Sequence, residues 1–140
     1  MEYSFGNYGF LPREKMQNQP LFLLDFGVER RDTSSYFFEN KTRASYQGYL
    51  FQYTLNGCGV YEDSHGSHLL SPGQAFFAKM PEDSRYYYPA SHSKTAWDFF
   101  YLHFDGFAAD SFYDTIRGTV RSRHLPSHRS YLRPPILSSL

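Results

Sequence analysis

The chain has 140 residues, enough for one domain with a real core and short for two. Its 14 lysines and arginines balance 14 aspartates and glutamates, which excludes a basic field for gathering nucleic acid and an acidic tail. A lone cysteine, Cys58, excludes an internal disulfide framework, and no apolar stretch approaches the ~20 residues that cross a bilayer. No charged leader followed by an apolar segment suggests export, so a soluble cytoplasmic protein is expected. The departure from average is aromatic: 14 Phe, 13 Tyr and one Trp, residues that suit pleated, half-buried surfaces.

Residues 1–20 are interrupted by Gly6, Gly9, Pro12 and Pro20 and read as an N-terminal arm. The arm carries Tyr3, Phe5, Tyr8, Phe10 and Leu11, for which a solvated tail has little use, so it is expected to dock. Leu21-Phe-Leu-Leu-Asp-Phe-Gly27 is a short apolar run compatible with a first strand; Glu29-Arg-Arg-Asp32 reads as a charged turn, and Tyr36-Phe-Phe38 as the start of another strand. Tyr49 to Leu55 forms a further strand, stopped by Asn56-Gly57. Asn56-Gly-Cys-Gly59 before Val60-Tyr-Glu62 predicts a tight hairpin. Ser64-His-Gly66 and Ser71-Pro-Gly73 mark turns on either side of His68-Leu-Leu70. Ala75-Phe-Phe-Ala78, Tyr86-Tyr-Tyr88 and the long run from Ala96 to Phe104 complete the strands.

Strands with turns about every eight to twelve residues indicate a sandwich or barrel, and a barrel has an interior. The one helix expected in the body spans Gly106 to Ile116, with Phe107, Phe112 and Ile116 loosely on one side and Gly118 able to end it. Beyond it the chain, with Arg121, Arg123, Arg129, Arg133 and several prolines, reads as extended, and Pro135 to Leu140 can open a helix. The expected division is therefore an arm over 1–20, a barrel over 21–106 and a helix with an extended tail over 107–140.

Four segments in order, Tyr53-Thr-Leu-Asn-Gly-Cys-Gly59, Leu70-Ser-Pro-Gly73, Pro81-Glu-Asp-Ser-Arg-Tyr86 and Trp97-Asp-Phe-Phe-Tyr-Leu-His-Phe-Asp-Gly106, resemble the N-terminal effector-binding cupin domain of AraC-type transcriptional regulators. The resemblance covers about residues 20 to 116, and its most specific element is the closing segment from Trp97. It implies an all-β double-stranded β-helix that binds a small organic effector, often a sugar. In such regulators a dimerising helix and DNA-reading helix-turn-helix motifs follow. A homodimer is implied, with DNA reached only through that C-terminal part.

Many cupins are metalloenzymes whose site takes two nearby histidines and a carboxylate from one motif and a further histidine from a second, because first-row metals need convergent nitrogen and oxygen donors. Here Arg43-Ala-Ser-Tyr46 occupies the first region without a histidine, and Arg85 stands where the second would offer one. Arginine stays protonated and cannot be a ligand. His65 and His68, the close histidine pair, sit in and just after a turn and read as solvent-facing. Cys58 between two glycines has no local base, and no nucleophile elbow or phosphate loop occurs. The expectation is no metal, no cofactor and no catalytic residue; the alternative is a cupin enzyme such as a metal-dependent sugar isomerase or dioxygenase.

Alternation in the last strand puts Trp97, Phe99, Tyr101 and His103 on one face and Asp98, Phe100, Leu102 and Phe104 on the other. The resemblance implies that the first face lines the effector pocket, with contacts at Phe99 and Tyr101. Tyr86 matches the family's tyrosine after the second motif, and Arg43, with Tyr46 beside it, the family's arginine before Gly48-Tyr49. Flat aromatic faces suit the C–H-rich faces of a sugar, and arginine and tyrosine supply the oriented hydrogen bonds of a polyol. The resemblance implies that the arm, through Tyr8 and Phe10, folds over the pocket or contacts the DNA-binding part; plain docking on the barrel wall is the alternative.

Overall fold

A computed structural model describes residues 3–10 and 18–122. Among these residues, nine strands run in chain order: β1 (Gly6–Gly9), β2 (Phe22–Arg31), β3 (Phe37–Glu39), β4 (Gly48–Asn56), β5 (Gly59–Asp63), β6 (Gly66–Leu70), β7 (Ala75–Met80), β8 (Arg85–Tyr87) and β9 (Trp97–Asp105). A 3₁₀ turn at Asn40–Thr42 follows β3, and helix α1 (Ala109–Ser122) follows β9. The strands form two antiparallel sheets, one ordered β1-β2-β9-β4-β7 and the other β3-β8-β5-β6. This is the expected all-β cupin, or jelly-roll, barrel with a C-terminal helix. No helix among the described residues is long and apolar enough to cross a membrane.

Both faces of the first sheet are apolar because both are covered. Its inner face, with Leu50, Phe76, Ala78, Met80, Trp97 and Phe99, packs against Tyr61, Tyr86 and Leu70 of the second sheet. Its outer face buries Tyr49, Phe77 and Phe104 beneath Ala109 and Tyr113 of α1. The alternation read in β9 is thus the alternation of the fold: Trp97, Phe99, Tyr101 and His103 point inward, and Phe104 points to the helix.

Three expectations are corrected. The arm is not wholly irregular, since β1 pairs along β2 with Tyr8 opposite Phe26. The charged stretch Glu29-Arg30-Arg31 is not a turn but the end of β2, where Arg30 makes a bidentate pair with buried Asp98 at 2.7 and 2.8 Å. A strand tolerates such charge because outward-facing Arg30 stays half in water while its fork matches the carboxylate. Asn56 to Gly59 is not a hairpin: β4 and β5 lie in different sheets, and the segment is the corner between them. Its cause is tertiary, for a Cβ on Gly59 would stand 2.2 Å from the Trp97 ring. The two-residue hairpin is the β5–β6 connection over Ser64-His65, with Asp63 opposite Gly66.

The helix also differs in detail. It continues through Gly118 to Ser122, since a mid-helix glycine costs only about 1 kcal/mol and the first turns are docked. The residues facing the sheet are Ala109, Phe112, Tyr113 and Ile116, with the Phe112 ring edge-on to Phe77 and Phe104 at 6.2 and 6.1 Å, whereas Phe107 precedes the helix and stands 72 % exposed. Of the tail expected to be extended, Arg121 lies in α1; the remainder, and the helix expected from Pro135, lie outside the described residues.

Candidate functional site

Strand register arranges the inner face of the first sheet in rows that cross β2, β9, β4 and β7. One row is Asp25, His103, Leu50, Ala78; the next is Gly27, Tyr101, Gln52, Phe76. The third begins Glu29, Phe99, Thr54, and the fourth Arg31, Trp97. The rows change character along the barrel, from carboxylate and imidazole at one end to a filled aromatic core at the other.

At the polar end Asp25 is the organiser. Its Oδ2 lies 2.6 Å from His103 Nδ1, and its Oδ1 accepts a 2.8 Å hydrogen bond from the Tyr46 hydroxyl. His103 Nε2 is 2.7 Å from the carbonyl oxygen of Gln47, and the Tyr46 ring stacks on the imidazole at 3.8 Å. A carbonyl can only accept, so Nε2 carries a hydrogen, and the Nδ1 to Oδ2 contact must hold a second proton. A lone acid in an apolar run, Asp25 is held from two sides, by His103 of β9 and by Tyr46 of the loop before β4.

Arg43, on the loop after the 3₁₀ turn, enters from the other side. Its guanidinium lies between the rings of Phe38 and Tyr46, at 4.4 and 4.1 Å from their centroids, and Nη1 donates to the Tyr86 hydroxyl at 2.6 Å. The sulfur of Met80 is 3.8 Å from the same nitrogen. The flat cation thus has two aromatic faces and one phenol, the arrangement that cation–π attraction favours. Burial pushes the Tyr86 phenol up to about 12 even though Arg43 pulls it down. Burial, and then the hydrogen bond to Asp25, raises Tyr46 further, and burial with the Asp25 charge raises Tyr101. All three remain neutral hydroxyls able to donate and accept.

Gly27 leaves space in the second row. A Cβ there would meet Asn7 Oδ1 at 2.6 Å and the Tyr101 ring at 3.0 Å, so the glycine lets the half-buried Tyr101 ring lie against β2. Beside Tyr101 the Gln52 side chain is 1 % exposed; its Oε1 meets the Tyr36 hydroxyl at 3.5 Å and its Nε2 has no partner among the described residues.

Of the residues singled out in the sequence, Arg43, Tyr46, Tyr86, Tyr101 and His103 meet in this region. Trp97 and Phe99 do not share it: both have zero exposure, 4.8 Å apart, with the indole N–H donated to Thr54 at 3.1 Å. They face inward as expected, yet the aromatic packing of the third and fourth rows closes around them. Tyr8 and Phe10 lie against the barrel wall, the alternative reading of the arm. Both stack on Phe26, at 5.2 and 5.8 Å, on the outer face of β2, because Tyr8 sits directly opposite Phe26 in the ladder. Asp25, Gln52 and Phe38 were not singled out, although a lone Asp in Leu21–Phe26 and a lone Gln in Tyr49–Leu55 are polar interruptions of apolar strands.

Among the described residues, no three His, Cys, Asp or Glu side chains converge as a metal site would require. His65 and His68 share only Asp63, at 3.6 and 3.4 Å. A separate cleft, lined by Glu39, Glu62, Asp83, Arg85 and neighbours, lies on the outer face of the second sheet, where Arg85 and the Tyr87 hydroxyl both bond Glu62.

The fold and this half-open polar end define a cupin barrel of the ligand-binding kind. The model of the AraC-like ligand binding domain matches residues 26–139, and the chain belongs to that family. It is thus a ligand-binding regulatory domain with a cupin fold. Among solved structures, YhaK from Escherichia coli is similar at 17 % identity and a TM-score of 0.52, over 74 % of this chain and 45 % of that one. This chain therefore spans less than half of YhaK. A Cupin 2 conserved barrel domain protein from Salinispora arenicola CNS-205 is similar at 10 % identity and a TM-score of 0.45, over 79 % of this chain and 83 % of its own. At these identities the likeness is one of fold. The comparison with curated protein sequences returns no match.

Proposed function

We propose that this domain is the sensor of an AraC-type transcriptional regulator, and that it binds a small polar organic effector of carbohydrate type at the polar end of the barrel, without a metal. The observation that carries this reading is the convergence of Arg43 and Tyr46 from one loop, Tyr86 from β8, and Tyr101 and His103 from β9 around the partly buried Asp25. Neutral phenols, a guanidinium and flat rings are what a polyol needs, and Gly27 keeps the wall beside Tyr101 thin. Binding acts by differential affinity for two states of the domain, read out through a homodimer interface. Contact with DNA is assigned to a helix-turn-helix part of the regulator, since the balanced charge of these residues gives no basic field. Such a regulator works in the cytoplasm.

The test is a panel of sugars and their derivatives read by thermal shift and by the emission of Trp97, the single tryptophan. Binding to the wild type that is weakened in Tyr101→Ala is expected. A wild type that responds to nothing, or Tyr101→Ala binding as well as the wild type, overturns the reading. Stoichiometric iron, zinc or manganese in the purified protein would also overturn it and favour a cupin enzyme.

A further inference from the structure

Charge and hydrogen-bond accounting at this site says more about the effector than its size. Every other arginine whose side chain is described has a carboxylate within salt-bridge distance: Arg30 has Asp98, Arg31 has Glu29, Arg85 has Glu62 and Arg117 has Asp63. Arg43 has none among the described residues; its partners are two rings, a phenol and a thioether. The nearby acids are already matched. Asp25 is engaged by His103 at 2.6 Å and Tyr46 at 2.8 Å, and Glu29 is held by Arg31 at 2.7 Å. Among the described residues Arg43 thus has no carboxylate partner, and most of the N–H donors on its guanidinium have no acceptor.

Gln52 is an independent second observation. Its side chain is 1 % exposed, projects from the inner face of β4 in the row of Gly27 and Tyr101, and leaves one end of its amide without a partner. An unpaired buried amide is costly, and native interiors retain one where something else comes to pair it. Flipping the amide would leave its oxygen, instead of its nitrogen, unpaired. A hydroxyl group accepts from the one and donates to the other, so it satisfies Gln52 in either orientation.

We propose that Gln52 is an effector-reading residue and that, with Arg43, it selects a hydroxylated carboxylate, a sugar acid, over the corresponding neutral sugar. The carboxylate neutralises Arg43 through its fork, and a hydroxyl pairs with the Gln52 amide beyond Tyr101. The inference rests on the sensing role argued above and goes further, to the chemical class of the effector. A neutral polyol would leave Arg43 uncompensated in a partly desolvated aromatic clamp, and an apolar acid would leave Gln52 unpaired.

The experiment is calorimetric titration of the full chain with matched pairs: galacturonate against galactose, and gluconate against glucitol. The acid of at least one pair is expected to bind about tenfold or more tightly than its neutral partner, the scale of a charge-assisted hydrogen bond, and to lose that advantage as salt is raised. Arg43→Gln should bring acid and neutral forms level. Gln52→Leu should lose roughly tenfold in affinity for both, while its Tm holds or rises, because the substitution removes an unpaired amide from the interior. A purely structural glutamine would instead lower Tm and leave affinity unchanged; if the leucine variant does not fold, Gln52→Met is read the same way. Equal affinity within every pair, tighter binding of the neutral member, or unchanged affinity in the Gln52 variant overturns the proposal. Neutral sugars that bind while acids do not would sink this inference alone, whereas silence from both classes, in calorimetry and in Trp97 emission, would sink the sensing role with it.

Discussion

At one end of the barrel interior Trp97, Phe99, Phe76 and Tyr61 fill the space between the sheets, and the polar atom that Trp97 brings is spent on Thr54. At the other, Asp25, Arg43, Tyr46 and His103 are also stacked rings and flat planes, yet they keep a charge and several donors in reserve. The two ends share one sheet, one strand alternation and nearly the same aromatic density. What separates a filled core from a binding end is the fate of the polar atoms: paired within the protein at the first, left over at the second. Aromatic content marks where the interior is, and the unpaired donors mark where it is open to a ligand.

The sharpest way to break that contrast is to remove mass from the closed end. Phe99→Ala deletes a ring with zero exposure that packs on Trp97 at 4.8 Å and on Tyr36 at 5.5 Å, and should cost about 3–5 kcal/mol in urea unfolding. A loss below about 1 kcal/mol would mean that this end is not filled, and that Phe99 belongs to the pocket after all.

Alkali tests both ends together. Tyr86 titrates at about 12 in the fold, against an ordinary 10, and burial raises Tyr36 and Tyr61 as well. A folded value above the unfolded one means that the protonated form is favoured by folding. Stability is therefore fully present below about pH 10 and is lost as pH rises from there through the folded value, while the unfolded chain releases protons that the fold retains. Tyr86 alone accounts for roughly 2 kcal/mol of loss by about pH 12, and Tyr86→Phe should flatten that part of the curve. Urea midpoints followed from neutral pH upward check it; a flat profile would mean that these phenols are not buried as described.

Removing the organiser of the open end should cost less. Asp25→Ala leaves the Tyr46 hydroxyl and His103 Nδ1 without partners, an expected loss of about 1–3 kcal/mol, with effector affinity falling alongside. Unfolding and calorimetry on the same preparation give both numbers, and an affinity that survives the change would place the effector away from Asp25.

Much of this contrast can be read along the chain, and the exceptions share a cause. The strand-and-turn rhythm, the inward face of Trp97 to His103 and the grouping of Arg43, Tyr86 and Tyr101 follow from alternation and from motif resemblance. The Asn56-Gly57 corner does not, because the same dipeptide that closes a hairpin also turns a chain between sheets, and the deciding contact is Gly59 against Trp97, far along the sequence. The charged end of β2 is a strand only because Asp98 waits across the ladder for Arg30. Asp25 and Gln52 gain their meaning from Tyr46, Gln47, His103 and Tyr36, partners that spacing cannot name. Local pattern identifies elements; which polar atoms find partners is a tertiary fact.

The arm makes the last and smallest comparison, inside against outside. Tyr8 stacks on Phe26 from the outer side of β2, while the site lies on the inner side of the same strand at Asp25 and Gly27. Tyr8 is 58 % exposed, so Tyr8→Ala should cost only about 0.5–1 kcal/mol, the worth of a partly solvated aromatic pair. More telling is what should not change. With the ring on the far face of β2, effector affinity in Tyr8→Ala should match the wild type within about twofold, well inside the spread expected for variants that touch the ligand. A larger loss of affinity, with stability intact, would show that the arm leaves Phe26 when the effector arrives and closes over the polar end, in which case β1 is a resting position and the outer stack its latch.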